Sequence, residues 1–187
     1  MGYSILYADV SITGYAVPQN EIRRLLRGCE FSEYQFLTHE PIDVVLSSEG
    51  GLEFPDLMIC EGCIPLISQR LRESFLSLGL ANVFYKPVNL VMRDLGINEP
   101  FWLALPPRID CLDWEASEIL EDMDDAFPFW ARLHEAKKIV IAPEKIGNYK
   151  IFKLPPCLSN QQIIVEEEVR TYLERKNFEN VHFFPLS

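Results

Sequence analysis

The strongest constraint on the fold is a helix-then-strand unit that occurs twice, at residues 66–88 and 164–186. The second copy is displaced by 98 residues, with no gap in the alignment of the two copies. Apolar residues recur every fourth position in each copy, a spacing that places them on one stripe of a helix. The stripe residues are Ile67, Leu71 and Phe75 in the first copy and Val165, Val169 and Leu173 in the second. We expect each stripe to pack against a sheet.

The two copies also agree on where the helix ends. Gly79 and Asn177 occupy equivalent positions, and both residue types tolerate the left-handed conformation that ends many helices. A short apolar strand closed by a proline is expected next in each copy. These strands are Val83–Tyr85 before Pro87 and Val181–Phe183 before Pro185. The repeated unit predicts two related lobes, or two related corners of one core.

Strand and helix signals in the rest of the chain do not alternate as regular βαβ units. We therefore predict an α+β fold, with a mixed or antiparallel sheet and a few short helices. A length of 187 residues suits one domain or two small lobes. Our division is an N-terminal α/β segment, residues 1–53, integrated with a domain at 54–187. One compact domain spanning 1–187 is the alternative.

Charge and composition bear on partners and location. The net charge of −11 argues against nucleic acid or an anionic membrane as a direct partner and is compatible with binding a basic protein. No apolar run reaches the roughly 18 residues needed to cross a bilayer. The first ten residues, MGYSILYADV, have no basic region before the apolar positions, so no secretory signal is expected. An odd number of cysteines, five, suits reduced thiols in a cytoplasm.

Two of the cysteines form a C-x-x-C pair, Cys60 and Cys63. A zinc site would need a second such pair, which the sequence does not contain. A redox pair would be expected at the start of a helix, whereas Pro65 separates this pair from the predicted one. We predict a structural role for the pair, and neither a cofactor nor a metal.

Several short motifs occur in order along the C-terminal part of the chain. They are the apolar-Ser-x-x-apolar start and the Pro-Val end of Leu66–Val88, the D-x-x-D-x-x-x-S run Asp110–Ser117, a predicted strand at Lys138–Ala142, the tetrad Ile151–Leu154 and the terminal stretch Ile163–Leu186. Together they resemble the immunity-protein domain catalogued as immunity protein eleven, formerly a domain of unknown function. That domain is found in bacterial polymorphic toxin loci. The resemblance covers roughly residues 54–187 and does not account for 1–53.

The resemblance implies a cytoplasmic bacterial protein that binds and neutralises a toxin from a neighbouring gene. It supplies no catalytic residue to carry over. The chain departs from the family at Glu166, which replaces the serine that often starts the second helix. Loss of this serine weakens the local cap, although three successive glutamates at 166–168 still favour a helix N-terminus through the macrodipole.

An acidic run followed by aromatic residues is the best candidate for the partner-binding surface. The carboxylates are Glu118, Glu121, Asp122, Asp124 and Asp125, and the aromatics are Phe127, Phe129 and Trp130. Many toxins of such systems act on nucleic acid and have basic active clefts, which an acidic partner can enter with fast, electrostatically steered association. A solvated acidic loop beside core aromatics is the alternative interpretation.

Asp110, Asp113 and Ser117 form the second candidate group. A paired acid and base is one interpretation, but a metal site would need further ligands that the local sequence lacks. We favour turn-forming carboxylates that accept backbone N–H bonds. Trp102 and Trp114 are expected in the core.

Three functional hypotheses follow. The first is a non-catalytic immunity protein that blocks a cognate, basic toxin by occlusion. The second is a hydrolase-like enzyme using Asp110 and Asp113. The third is a self-associating or accessory subunit of a secretion-toxin locus, and a homodimer stays open.

Overall fold

The computed structural model describes residues 2–10, 12–18, 40–47, 50–60, 64–120, 135–155 and 162–186. Within these residues the chain forms two α-helices, α1 (Gln69–Ser77) and α2 (Glu167–Lys176). The strands are β1 (Tyr3–Tyr7), β2 (Ile42–Val45), β3 (Leu57–Cys60), β4 (Ile64–Ile67), β5 (Phe84–Met92), β6 (Ile97–Leu105), β7 (Glu118–Leu120), β8 (Glu135–Lys138), β9 (Ile151–Lys153), β10 (Ile163–Glu166) and β11 (His182–Pro185). The predicted α+β class is confirmed.

Most strands belong to two sheets. One has the order β2-β5-β6-β4-β3 and the other the order β11-β1-β10-β9, while β7 and β8 form a separate two-stranded ribbon. Neighbouring strands are antiparallel except β2 and β5, which are parallel. The N-terminal strand β1 lies between two C-terminal strands, so the second sheet joins the two ends of the chain.

The two sheets share a pattern of strands around their helices. Across each sheet, the strand that comes after the helix in sequence lies beside a second strand. Next in the sheet is the strand that comes before the helix in sequence, and then an edge strand. The resulting spatial orders are β5-β6-β4-β3 and β11-β1-β10-β9. The second position is filled by a later strand, β6, in one sheet and by the N-terminal β1 in the other. The duplication of the two sequence units stays a prediction.

Two of the three predicted stripe residues in each copy lie on a helix, whereas Ile67 and Val165 lie in the preceding strands β4 and β10, so their predicted place on a helix is wrong. All six residues nevertheless belong to one hydrophobic cluster. Leu71 and Phe75 of α1 lie there with Val169 and Leu173 of α2, and each of these side chains is at most 1% exposed. Residues of both sheets complete the cluster. The two helices therefore pack into one shared core.

Two asparagines at equivalent positions of the two sequence copies connect the sheets. Asn180 Nδ2 donates to the carbonyl oxygen of Leu57, at the start of β3, over 3.1 Å. Asn82 Nδ2 donates to the carbonyl oxygen of Ile151, at the start of β9, over 3.0 Å. Each asparagine thus bonds the first residue of the edge strand belonging to the other sheet.

The helix ends match the expectations. Gly79 and Asn177 both adopt the left-handed conformation, with φ of +72° and 48° respectively. At the N-terminus of α1, the Ser68 hydroxyl accepts the N–H of Leu71 over 3.1 Å. At the N-terminus of α2, Glu166 makes no side-chain capping bond, as its replacement of serine predicts.

Restoring this cap should stabilise the protein. We expect Glu166→Ser to raise the free energy of unfolding by about 0.5–1 kcal/mol, because the serine hydroxyl would satisfy an N–H of the first turn of α2. The backbone bond from the Glu166 N–H to the Lys150 carbonyl oxygen is available to any residue here except proline. Thermal unfolding should show a rise of a few degrees, with Ser68→Ala as the opposite control. A lower midpoint for Glu166→Ser would contradict the capping argument.

Pro87 does not close the first predicted strand. It lies within β5, paired with Trp102 of β6 on one side, while β2 begins to pair only at Val88. Within the described residues, Pro87 is therefore flanked by a strand on one side only. A residue without an N–H is tolerated at such a position, so a proline need not end the strand.

Candidate interaction surface

The carboxylates predicted to form a turn bond to their own segment. Asp113 Oδ1 accepts the N–H groups of Glu115 (3.2 Å) and Ala116 (3.0 Å). The Ser117 hydroxyl accepts the Val140 N–H over 3.0 Å and donates to the Val140 carbonyl oxygen over 3.3 Å. These bonds fix the direction in which the chain enters β7.

Asp110 has a different partner from Asp113. Its Oδ1 accepts the indole N–H of Trp114 over 3.2 Å. Trp114 is 37% exposed, so its expected place in the core is wrong. The Asp113 bonds close the turn at residues 114–116, and the exposed Trp114 indole has its N–H satisfied by Asp110.

The predicted acidic and aromatic segment joins β7 to β8. Glu118 is exposed in β7, and Leu120 at the end of β7 pairs with Glu135 at the start of β8. The other residues named for this surface lie outside the described residues. They are Glu121, Asp122, Asp124, Asp125, Phe127, Phe129 and Trp130. The structure therefore locates both ends of the segment.

The β7–β8 ribbon has one partly buried and one exposed side. Ile119 and Ala136 pack against a cluster that contains Phe152 and Ile164 of the second sheet. Leu120, in contrast, is 43% exposed, close in sequence to the exposed Glu118. The ribbon thus presents Glu118 and Leu120 of β7 and Lys137 and Lys138 of β8 to solvent.

A strand predicted at Lys138–Ala142 is displaced toward the N-terminus, since β8 ends at Lys138. The following residues pair instead with the turn. The Ala142 N–H donates to the Cys111 carbonyl oxygen over 2.8 Å, and the Asp113 N–H to that of Val140 over 2.9 Å. These longer-range bonds explain why a locally strand-like sequence forms only an isolated bridge there.

The cysteines offer no reactive thiol in the described part. Cys111 is fully buried, and burial, with a smaller effect of Asp110, raises its thiol pKa to about 11. A thiol with this pKa stays protonated and unreactive near neutral pH. The Cys60 side chain and all of Cys63 lie outside the described residues, so their predicted structural role stays a prediction.

Metal-binding clusters and membrane spans are both absent from the residues that the structure describes. Nowhere among them do three histidine, cysteine, aspartate or glutamate side chains gather closely enough to hold a metal ion. Neither helix in those residues has the length and apolar character needed to cross a membrane.

Asp56 is the most highly connected carboxylate in the described structure. It accepts bonds from the Ser68 hydroxyl (2.5 Å), from the Arg70 guanidinium and from the Glu179 N–H (2.9 Å). Burial raises the pKa of Asp56, but these bonds outweigh burial and hold its pKa below the usual range. The residue joins the start of α1 to the turn after α2, and its role is to stabilise the fold.

Asp110 and Asp113 are bonded within their own segment, and the buried Cys111 thiol is protonated near neutral pH. The chain matches the model of the immunity protein family (Imm11) over residues 12–187, and it belongs to that family. Membership points to a toxin-neutralising immunity role. The match also includes residues 12–53, which the sequence motifs left unassigned. No curated protein matches the chain with significant similarity.

Proposed function

We propose that this protein is a bacterial immunity protein that binds a cognate toxin and covers its active site, with no chemistry of its own. The observation that carries the proposal is the family match over nearly the whole chain, residues 12–187. We place the complex in the cytoplasm. The hypothesis of blocking by occlusion requires a surface complementary to the toxin in both shape and charge.

Charge supports a basic partner. The chain carries a net charge of −11, and the sequence concentrates five carboxylates between positions 118 and 125. The exposed Trp114 and Leu120 near the base of this segment add apolar contact area. Aromatic anchors beside a charged rim are common in protein interfaces, and opposite charge raises association rates. We therefore assign the toxin contact to the β7–β8 ribbon and the segment it carries.

Local bonding weighs against the hydrolase hypothesis. A general base must be available to the proton it removes. Asp113 instead accepts two backbone N–H groups, and Asp110 accepts an indole N–H. These contacts support a structural role for both carboxylates.

Co-expression with the toxin domain encoded by the neighbouring gene tests the function. We expect the full chain to restore growth, and the purified pair to form a stable complex. The triple variant Asp122→Asn, Asp124→Asn and Asp125→Asn should slow association at least tenfold at low salt, with a smaller difference at high salt.

A matched triple variant controls for lost charge alone. Asp43→Asn, Asp94→Asn and Glu99→Gln remove three exposed carboxylates on or beside β2, β5 and β6 of the first sheet and should leave association nearly unchanged. If the toxin kills cells equally with and without the wild-type protein, the proposed function is wrong. Equal slowing by both triple variants would overturn the assignment to the acidic segment.

A further inference from the structure

An apolar cavity of about 340 Å³ opens where β1, β3, β10 and β11 meet. Tyr7, Ile59 and Phe184 form part of its wall. The two aromatic residues are also exposed to solvent, Tyr7 by 41% and Phe184 by 63%. The Tyr7 ring contacts the imidazole of His182, with 5.4 Å between ring centroids, which supports its position at the opening.

A smaller depression adjoins this cavity and shares Ile59 with it. Val10, Ile12 and Val17 line the depression and are all exposed. We call these six residues together the Tyr7–Phe184 surface. Five of the eleven large apolar side chains exposed in the described residues belong to it. Contiguous exposed apolar patches on soluble proteins mark interaction sites more often than chance positions.

Carboxylates border the Tyr7–Phe184 surface. Asp9 lines the depression, and Glu53 pairs with Tyr15 in a short bridge at its wall. Burial, and then the charges of Glu179 and Glu53, raise the pKa of Tyr15, so both glutamates lie near this side chain. Both glutamates are themselves exposed to solvent. The rim thus favours a partner that carries cations.

Arg70 is a cation near Glu179, and its charge acts on the same rim. Its guanidinium is, however, bound to Asp56. The salt bridge largely offsets the positive charge, and the remaining rim carboxylates keep the border acidic.

The same cluster supports this surface and the β7–β8 ribbon. Ile5 lines the cavity and also packs against the cluster that holds Ile119 of β7 and Ala136 of β8. The ribbon and the cavity therefore rest on the same hydrophobic cluster. This shared support relates the Tyr7–Phe184 surface to the proposed toxin contact.

We propose that the Tyr7–Phe184 surface is the apolar anchor site for the cognate toxin, which inserts an apolar side chain flanked by lysine or arginine. This inference rests on the proposed function and names the part of the surface that supplies most of the affinity. A buried apolar anchor surrounded by a charged rim is the usual arrangement of an energetic hot spot.

A second copy of the chain is a poorer occupant. A two-fold contact would bring each acidic rim against the same rim of its partner, and like charges repel. Strand addition at β11 is also disfavoured, because Pro185 offers no N–H to an incoming strand.

The test measures binding of the full chain to the purified, catalytically inactive toxin domain encoded by the neighbouring gene. Tyr7→Ala and Phe184→Ala should each raise Kd at least tenfold, mainly through faster dissociation. The matched controls Leu76→Ala and Tyr149→Ala remove similarly exposed apolar side chains elsewhere and should change Kd less than twofold. Circular dichroism would verify that each variant is folded.

A charge variant keeps the test decisive if an aromatic variant fails to fold. Glu53→Gln with Glu179→Gln should slow association several-fold at low salt, with little change at high salt. Wild-type binding together with unchanged Kd in the aromatic and charge variants would overturn this inference and leave the proposed function standing. No wild-type binding would instead reject the proposed function. A wild-type dimer that Phe184→Ala converts to a monomer would assign the surface to self-association and overturn the inference.

Discussion

Replacing Phe75 with alanine should lower the free energy of unfolding by about 3–5 kcal/mol, the usual cost of emptying a buried aromatic site. Phe75 is 1% exposed and lies in the cluster shared by α1 and α2. Because the cavity would open in the cluster to which both helices contribute, we expect the loss to reach α2 as well as α1. Urea unfolding gives the energy, and native-state hydrogen exchange of the two helices gives its distribution.

The neighbouring Leu76 provides the matched control. It belongs to the same helix but is 44% exposed, so Leu76→Ala should change stability by at most about 0.5 kcal/mol. If Phe75→Ala weakened protection in α1 and left α2 unaffected, the two helices would not be sharing one cooperative core.

Replacing Asp56 with asparagine should cost about 2–3 kcal/mol, because the bonds that Asp56 accepts depend on its charge. The substitution would retain the size of the side chain, yet it would remove the ion pair with Arg70 and one of the two acceptor oxygens. The exposed Asp43 accepts a bond from the side-chain amide of Asn89, and Asp43→Asn should be nearly neutral. Equal effects of the two substitutions in urea unfolding would contradict this account.

The same carboxylate gives a pH dependence with a defined sign. Its folded pKa is lower than its unfolded pKa, so its contribution to stability is complete above the unfolded value, near 4, and is lost as pH falls through the folded value. We expect the stability difference between wild type and Asp56→Asn to be largest near neutral pH and to shrink below about pH 4. Urea unfolding at pH 7, 4 and 3 measures it, and a constant difference would exclude Asp56 as the titrating group.

Local features of the fold could be predicted from the sequence because they are encoded by nearby residues. The four-residue spacing of Leu71 and Phe75 predicted a buried helical face, and Gly79 and Asn177 predicted left-handed helix ends. A single serine-to-glutamate difference between the two copies predicted which helix lacks a side-chain cap.

Contacts between distant segments could not be predicted in the same way. Whether Pro87 ends a strand depends on where β2 pairs, and no local pattern specifies that position. The outward position of Trp114 depends on bonds made by the turn around it. The cavity at Tyr7 and Phe184 exists only because strands from the two ends of the chain pair, so neither residue appeared as a candidate in the sequence.

The position of β1 has a consequence for the timing of protection. Both of its neighbours in the sheet, β10 and β11, lie much further along the chain and are synthesised after it. Closing so long a stretch of chain before any contact forms is entropically costly, and the sheet cannot assemble while its last strands are still in the ribosome. A newly made molecule therefore lacks the Tyr7–Phe184 surface until synthesis of those strands is complete. On the proposed function, we expect resistance at the moment of attack to depend on molecules that the cell has already finished making.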